Sequence, residues 1–199
     1  PGVSSKVTVL GNHCSKFIDS PYSRTGILEG NPIHKDMIAA SKMAHQKYIV
    51  NVIIDADKKV VHAVAGDAIE AHAAGCKFLQ DYCQVVPKKA ADIAISTNGG
   101  YPLDQNMYQS VKGMTAAEAA AKDDGILIMV SNCGDGHGGE GFYEALKNCS
   151  SPADLMAEIL KVPQDQTKPD QWEYQIQCRI LMQHKAVSYT HLTLPTKLE

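Results

Sequence analysis

The residues with the most chemical capacity lie in two glycine-rich stretches. The first, Gly99-Gly100-Tyr101-Pro102-Leu103-Asp104-Gln105-Asn106-Met107-Tyr108-Gln109-Ser110-Val111-Lys112, runs from a tight turn into a helical pattern. On that helix Tyr108 and Lys112 stand four residues apart and share a face, with Gln109 next to it. An amide donor and an ammonium placed together suit a carboxylate ligand. Singly, a Lys or a Gln reads as solvated helix surface; their joint position just past the glycine turn favours binding. The second stretch is Asn132-Cys133-Gly134-Asp135-Gly136-His137-Gly138-Gly139-Glu140. Its glycines let backbone approach a ligand closely and present amides to an anion at the next helix terminus. The spacing is not G-x-G-x-x-G and no strand Asp or Glu follows at the right distance, so a generic dinucleotide site is not indicated. A tight turn without a ligand is the plain alternative. His13 is the third candidate, a single imidazole with no HxH, HExxH or second Cys or His at ligand spacing, so spacing alone builds no metal site. His34, His45, His62, His72 and His184 are scattered and receive no role.

The elements that must position these groups divide near Pro87. Before it, Lys6 to Leu10 reads as a strand ending shortly before His13. Asn31-Pro32 opens a helix to about Gln46, with Ile33, Met37, Ile38 and Ala44 on its apolar side. Tyr48 to Ile54 and Lys59 to Ala65 form a hairpin across Asp55-Ala56-Asp57-Lys58, and Asp67 caps a helix to about Val85. After it, Ala91 to Ser96 is a short strand. Helices are expected from Asp104 to Lys112 and from Thr115 to Lys122, the latter with Thr115 and Glu118 as a capping box. Gly125 to Ser131 is almost purely apolar, as for a strand buried on both faces of a parallel sheet. Helices follow at about Glu140 to Lys147, Ser151 to Lys161 and Pro169 to Lys185. The fold class is α/β: a strand–helix–hairpin–helix segment, then a Rossmann-like layer of parallel strands with flanking helices. Each glycine loop follows a strand and precedes a helix, so both should open on one crevice at the carboxyl ends of the strands.

The composition fits this reading. The 199 residues are 44% hydrophobic and 21% charged with net charge −3, room for one large or two small domains. No apolar run approaches the ~18 residues of a membrane span, and no signal-peptide pattern opens the chain. Lys and Arg (19) do not outnumber Asp and Glu (22), and aromatics are few, so nucleic-acid and membrane partners are not expected. Six cysteines form no CxxC pair and read as reduced thiols of a cytoplasmic protein; Cys76 and Cys83 lie one heptad apart on an Ala-rich helix as small buried side chains. Residues 187–199 break the helical pattern, resemble a translated library adapter with a vector scar, and are expected to be a non-native tail.

Several stretches together resemble one family, the nickel-pincer-nucleotide-dependent lactate racemases and related 2-hydroxy-acid racemases and epimerases. They are Pro1-Gly2-Val3-Ser4-Ser5 leading to Asn12-His13, Gly30 to Met37, Ser96 to Gly113, Asp135 to Gly139, and Gln171-Trp172-Glu173. The run Asn98 to Gln109 is long and uncommon, which makes the match specific. The resemblance implies a cofactor, nickel held by a pyridinium-derived mononucleotide plus one protein histidine, and His13 matches that histidine. It implies that Tyr108 and Trp172 pack around the cofactor, while Gln109 and Lys112 hold or polarise a small 2-hydroxy carboxylate. The glycine loop at Asp135 to Gly139 matches a family motif without an assigned contact. Residues 1–87 would then be part of the family's N-terminal cofactor domain and 88–186 its C-terminal α/β domain. The implied chemistry is hydride removal to a planar 2-keto acid and return to the other face, which avoids a second negative charge beside the carboxylate. The family's two acid–base histidines, a substrate-binding arginine and a cofactor-attaching lysine belong upstream of Pro1, so this stretch alone is expected to be inactive.

Two other classes compete. One is a phosphate- or nucleotide-binding α/β module without catalysis. The other is a metal-dependent hydrolase using His13, Asp135 and His137. Oligomeric state and the particular hydroxy acid are not legible in the residues.

Overall fold

A computed structural model describes residues 5–190, and the expected tail from residue 191 onward lies outside them. The elements are α1 (Lys6–Asn12), α2 (Ser15–Asp19), α3 (Pro32–Met43), β1 (Ile49–Ile54), β2 (Val60–Gly66), α4 (Ala68–Cys83), β3 (Ala91–Thr97), α5 (Met107–Glu118), β4 (Ala121–Ser131), α6 (Glu140–Asn148), α7 (Pro152–Ile159), α8 (Gln171–Gln183) and β5 (Lys185–Thr190). The chain forms two compact units. Among the described residues, one holds residues 5–12 and Ser20–Val86; the other holds His13–Asp19 and residues 87–190.

In the first unit, Lys6 to Leu10 is helical, correcting the strand expected there. Ser5 supplies the reason: its hydroxyl accepts from the Thr8 amide at 3.2 Å and its carbonyl from the Val9 amide at 3.1 Å, satisfying a first turn that apolar alternation does not reveal. Asn12 ties the end of α1 to α3, donating to the Ile33 carbonyl (3.1 Å) and an Asp36 carboxylate oxygen (2.8 Å). Asn31 caps α3, accepting from the Ile33 and His34 amides. The hairpin pairs antiparallel, and Asp55 closes its turn by accepting from the Asp57 and Lys59 amides. Asp67 caps α4 in the same way. Cys76 is half-buried and Cys83 exposed, so the heptad pair is not the buried pair its spacing suggested. Ala71 is the one fully buried hydrophobic residue of this unit among the described residues.

The second unit carries the core. β3, β4 and β5 form a parallel sheet in that order, with Ala94 opposite Leu127 and Leu127 opposite Ala186. Leu127 and Met129 are each 1% exposed, while Ile95 on the opposite face is 69% exposed. β4 therefore buries alternate side chains, not both faces as its apolar run suggested: α5 and α8 pack on the side carrying Ala94, Leu127 and Met129. One helix, α5, replaces the two expected between residues 104 and 122. Val111, Met114 and Ala117 continue a single buried stripe, and the Thr115 hydroxyl donates to the Lys112 carbonyl at 2.7 Å within the helix instead of capping a new one. α5 lies so close to β4 that a Cβ on Gly113 would sit 2.5 Å from Met129 Cε and 2.8 Å from the Asn98 side-chain oxygen. β5 runs through Val187 to Thr190, residues read in the sequence as tail.

α5 is locked to α8 by one ion pair. Arg179 Nε and Nη2 donate to the two Glu118 carboxylate oxygens at 3.0 and 2.8 Å, and both side chains are mostly buried. Glu118→Ala would leave the guanidinium buried and uncompensated, so a loss of about 3 kcal/mol is expected in urea unfolding followed by near-ultraviolet circular dichroism. A loss below about 1 kcal/mol would show that the pair does not hold the two helices.

Candidate functional site

β3 and β4 run parallel with Thr97 opposite Val130, so both glycine-rich loops leave the same end of the sheet. Backbone bonds join them. The Cys133 amide donates to the Asp104 carbonyl (2.9 Å), Asp135 to Gln105 (2.8 Å), Met107 to Gly136 (3.0 Å) and Tyr108 to His137 (3.1 Å). Asn106, the N-cap of α5, accepts the Gln109 amide at 2.9 Å. The first-turn amides of α5 are thus taken by the neighbouring loop and the cap, not offered to an anion. Gly138 has φ +86°, and a Cβ there would lie 2.8 Å from the Asn106 and Tyr108 side chains. Glycine is required at that position because the second loop rests on the start of α5.

Held by this contact, α5 presents Tyr108, Gln109 and Lys112. Lys112 Nζ donates to Gln109 Oε1 at 2.6 Å, which fixes the amide with its NH2 as the free donor. Tyr108 meets Phe142 edge-on with ring centroids 5.8 Å apart. Burial, then the negative charges of Glu173 and Asp170, push its hydroxyl far above the ordinary tyrosine range, against the pull of a hydrogen bond from the Trp172 side chain.

His13 occupies the turn between α1 and α2, not a strand end. Ser15 anchors that turn to the second unit: its hydroxyl donates to the Val162 carbonyl (3.3 Å) and its own carbonyl accepts from Gln175 Nε2 (2.9 Å). The imidazole lies against Trp172 in the first turn of α8, ring centroids 5.0 Å apart and tilted by 60°. His13, Tyr108, Gln109, Lys112 and Trp172 therefore all lie in the second unit, where His13 packs against Trp172 and the Trp172 side chain influences the Tyr108 hydroxyl. The hydrolase set does not assemble: His137 stacks on Tyr143 at 4.2 Å, and no three of His, Cys, Asp and Glu gather as metal ligands among the described residues.

Residues 86–199 match the family model described as lactate racemase C-terminal domain. The chain belongs to that family. It is similar to the lactate racemase of Thermoanaerobacterium thermosaccharolyticum, 55% identical over 190 residues, which cover 96% of this chain and 44% of the relative. It is similar also to the lactate racemase of Lactiplantibacillus plantarum, 49% identical over 98% of this chain and 46% of the relative. Among solved structures, the lactate racemase apoprotein of the Thermoanaerobacterium species superposes with TM-score 0.92 at 54% identity, covering 96% of this chain and 46% of that one. The chain thus spans less than half the length of these relatives.

Sequence reasoning missed one buried group next to these residues. Glu173 follows Trp172 in the chain and is only 3% exposed, with Oε1 buried and without a hydrogen-bond partner. A glutamate one turn into a helix ordinarily reaches back to the N-cap amide and stays near the surface, so pattern reading marks it as capping. Here burial pushes its carboxyl up to about 7, opposed by the Lys112 charge and helped by Asp170. The folded chain therefore keeps a proton that the unfolded chain releases near pH 4.3, so this group makes stability fall as pH rises from there to about 7. Glu173→Gln should gain on the parent by up to about 3 kcal/mol between about pH 4 and pH 8 in denaturant melts. Parallel stability curves for the two proteins would refute this.

Proposed function

We propose that the chain is the C-terminal part of a cytoplasmic 2-hydroxy-acid racemase or epimerase of the lactate racemase type. The observation that carries this reading is the His13–Trp172 contact at 5.0 Å beside the Tyr108, Gln109 and Lys112 turn, in a member of the lactate racemase C-terminal domain family.

Gln109 and Lys112 are the carboxylate-binding pair. With Oε1 occupied by Lys112, the Gln109 amide directs its NH2 outward, and the ammonium keeps two further hydrogens for a ligand. A carboxylate bridging these donors would be fixed at one end of a small hydroxy acid. Trp172 and Tyr108 give the site flat, half-buried walls suited to an aromatic ring. His13 offers an imidazole nitrogen, and no three His, Cys, Asp or Glu side chains gather as metal ligands among the described residues. A bare divalent ion finds a poor site there, whereas a nickel ion carried by its own organic ligand needs only one protein donor; the donor set fits such a group. When bound, a nickel pincer nucleotide supplies hydride-acceptor chemistry, which suits a substrate whose α-hydrogen is poorly acidic beside a carboxylate. The work left to this chain is to hold the nucleotide's metal through His13, flank its ring, and fix the substrate carboxylate. Two acid–base groups able to take the hydroxyl proton on each face are not among these five residues.

The test is a chimera in which residues 13–186 replace their counterparts in the Thermoanaerobacterium enzyme, loaded with cofactor and assayed for interconversion of D- and L-lactate. Lys112→Met and Gln109→Ala are each expected to lower kcat/KM by about tenfold to a hundredfold, the size of one charge-assisted hydrogen bond. His13→Ala should leave the purified protein without bound nickel. An active chimera whose rate and nickel content ignore all three substitutions would sink the assignment.

A further inference from the structure

Glu173 has no part in the chemistry above, and its surroundings are unusual. It sits in the first turn of α8 beside Trp172, on a helix that packs against α5. The backbone of that turn is already satisfied: the Asp170 carbonyl accepts the Glu173 amide at 3.0 Å and the Tyr174 amide at 3.3 Å. The Glu173 side chain therefore caps nothing. Its Oε1 ends in the interior without a partner. Such a group is costly to bury, more so when charged, and in a core chosen for packing alone a glutamine or leucine would serve better.

The charged and titratable groups that act on Glu173 are few. Lys112 from α5 favours its ionised form, Asp170 before α8 disfavours it, and Tyr108 from α5 feels its charge in turn. None from α2, α6, α7 or the sheet acts on it among the described residues. Lys112 is thus the cation that Glu173 answers to, and Lys112 is also tied to Gln109 at 2.6 Å. An ionised Glu173 adds a negative charge to the surroundings of Lys112, and a protonated one does not.

We propose that Glu173 is a positioning residue whose charge state sets the field Lys112 and Gln109 present, so that a small carboxylate binds there together with one proton taken up by Glu173. This rests on reading Gln109 and Lys112 as the carboxylate-binding pair. A carboxylate arriving at Lys112 adds a negative charge near a buried group whose ionised form is already disfavoured, and the cheapest response is for Glu173 to accept a proton. The carboxyl lies near neutrality in the unliganded chain, so the uptake falls in the working range. Affinity for a 2-hydroxy carboxylate should then be flat below about pH 6 and fall by up to about tenfold per pH unit above 7. A base near the metal site would act on turnover; this device acts on binding.

The experiment uses the whole chain labelled with carboxyl-carbon-13 glutamate, the Glu173 signal being the one lost in Glu173→Gln. Its titration is followed with and without sodium lactate, and in Lys112→Met. The midpoint is expected to rise in Lys112→Met, where the favourable charge is gone, and to rise again in the parent when lactate is added. Calorimetry in two buffers of different ionisation heat should show close to one proton taken up per lactate at about pH 8, and none with Glu173→Gln, which should keep its affinity at all pH values. A Glu173 midpoint that ignores Lys112→Met overturns the proposal whatever the site binds. If lactate moves the Gln109 side-chain amide signal while the Glu173 midpoint stays put, the proposal fails and the carboxylate site stands. If the Lys112→Met response is present but lactate moves neither signal, the carboxylate reading falls and takes the proposal with it.

Discussion

The arrangement depends on the parallel register of β3 with β4. Parallel pairing puts the carboxyl ends of both strands on one side, and the backbone bonds from residues 133–137 to residues 104–108 turn that closeness into a single rigid surface. Tyr108, Gln109 and Lys112 are presented in one orientation because the first turn of α5 has its amides satisfied by the second loop. Gly113 and Gly138 are the two points where this works only without a side chain: one lets α5 descend on Met129, the other lets the loop descend on Asn106 and Tyr108. A side chain at Gly113 would push α5 off Met129 and Asn98, and one at Gly138 would push the second loop off the start of α5.

α8 carries the second half of the site on the same terms. It is buried on nearly every side, although glutamines and a glutamate line it, with Gln171, Glu173, Gln175 and Gln177 all inaccessible or nearly so. Gln175 holds the α2 turn through the Ser15 carbonyl, and Arg179 holds α5 through Glu118. Gln175 and Arg179 fix the helix by direction as well as by shape, while Glu173 Oε1 and Gln177 Oε1 stay buried without a hydrogen-bond partner. Trp172 and Glu173 inherit their positions from that fixation.

Much of this was legible in the residues. The hairpin, the Asn31 and Asp67 caps and the strand–glycine loop–helix order follow from turn chemistry and periodicity, which are local. The two glycine loops were legible as neighbours because parallel topology demands it. The failures were of another kind. Lys6 to Leu10 reads as strand because β-branched residues dominate it, and only the Ser5 hydroxyl, a single cap, tips it to helix. Thr115 and Glu118 imitate a capping box inside one continuous helix, because the apolar stripe through Val111, Met114 and Ala117 outweighs a local hydrogen bond. The loop glycines looked like an anion cradle, but the carbonyls of Gly136 and His137 accept the first amides of α5. Glu173 was invisible because burial of a charged residue is set by tertiary packing and leaves no periodic trace. His13 and Trp172 were selected through resemblance; their proximity could not be computed from a separation of nearly the whole chain.

The seven residues from His13 to Asp19 sit in the second unit although the chain on either side of them, to Asn12 and from Ser20, belongs to the first. A crossover between two related genes placed at Pro87, the obvious seam in the sequence, would therefore draw the imidazole from one parent and the indole from the other. Such hybrids would inherit a mismatched pair at the very spot where ring meets ring. The natural seam for exchanging this module has to be discontinuous, and lineages that recombine at the single visible boundary would be expected to leave few functional descendants.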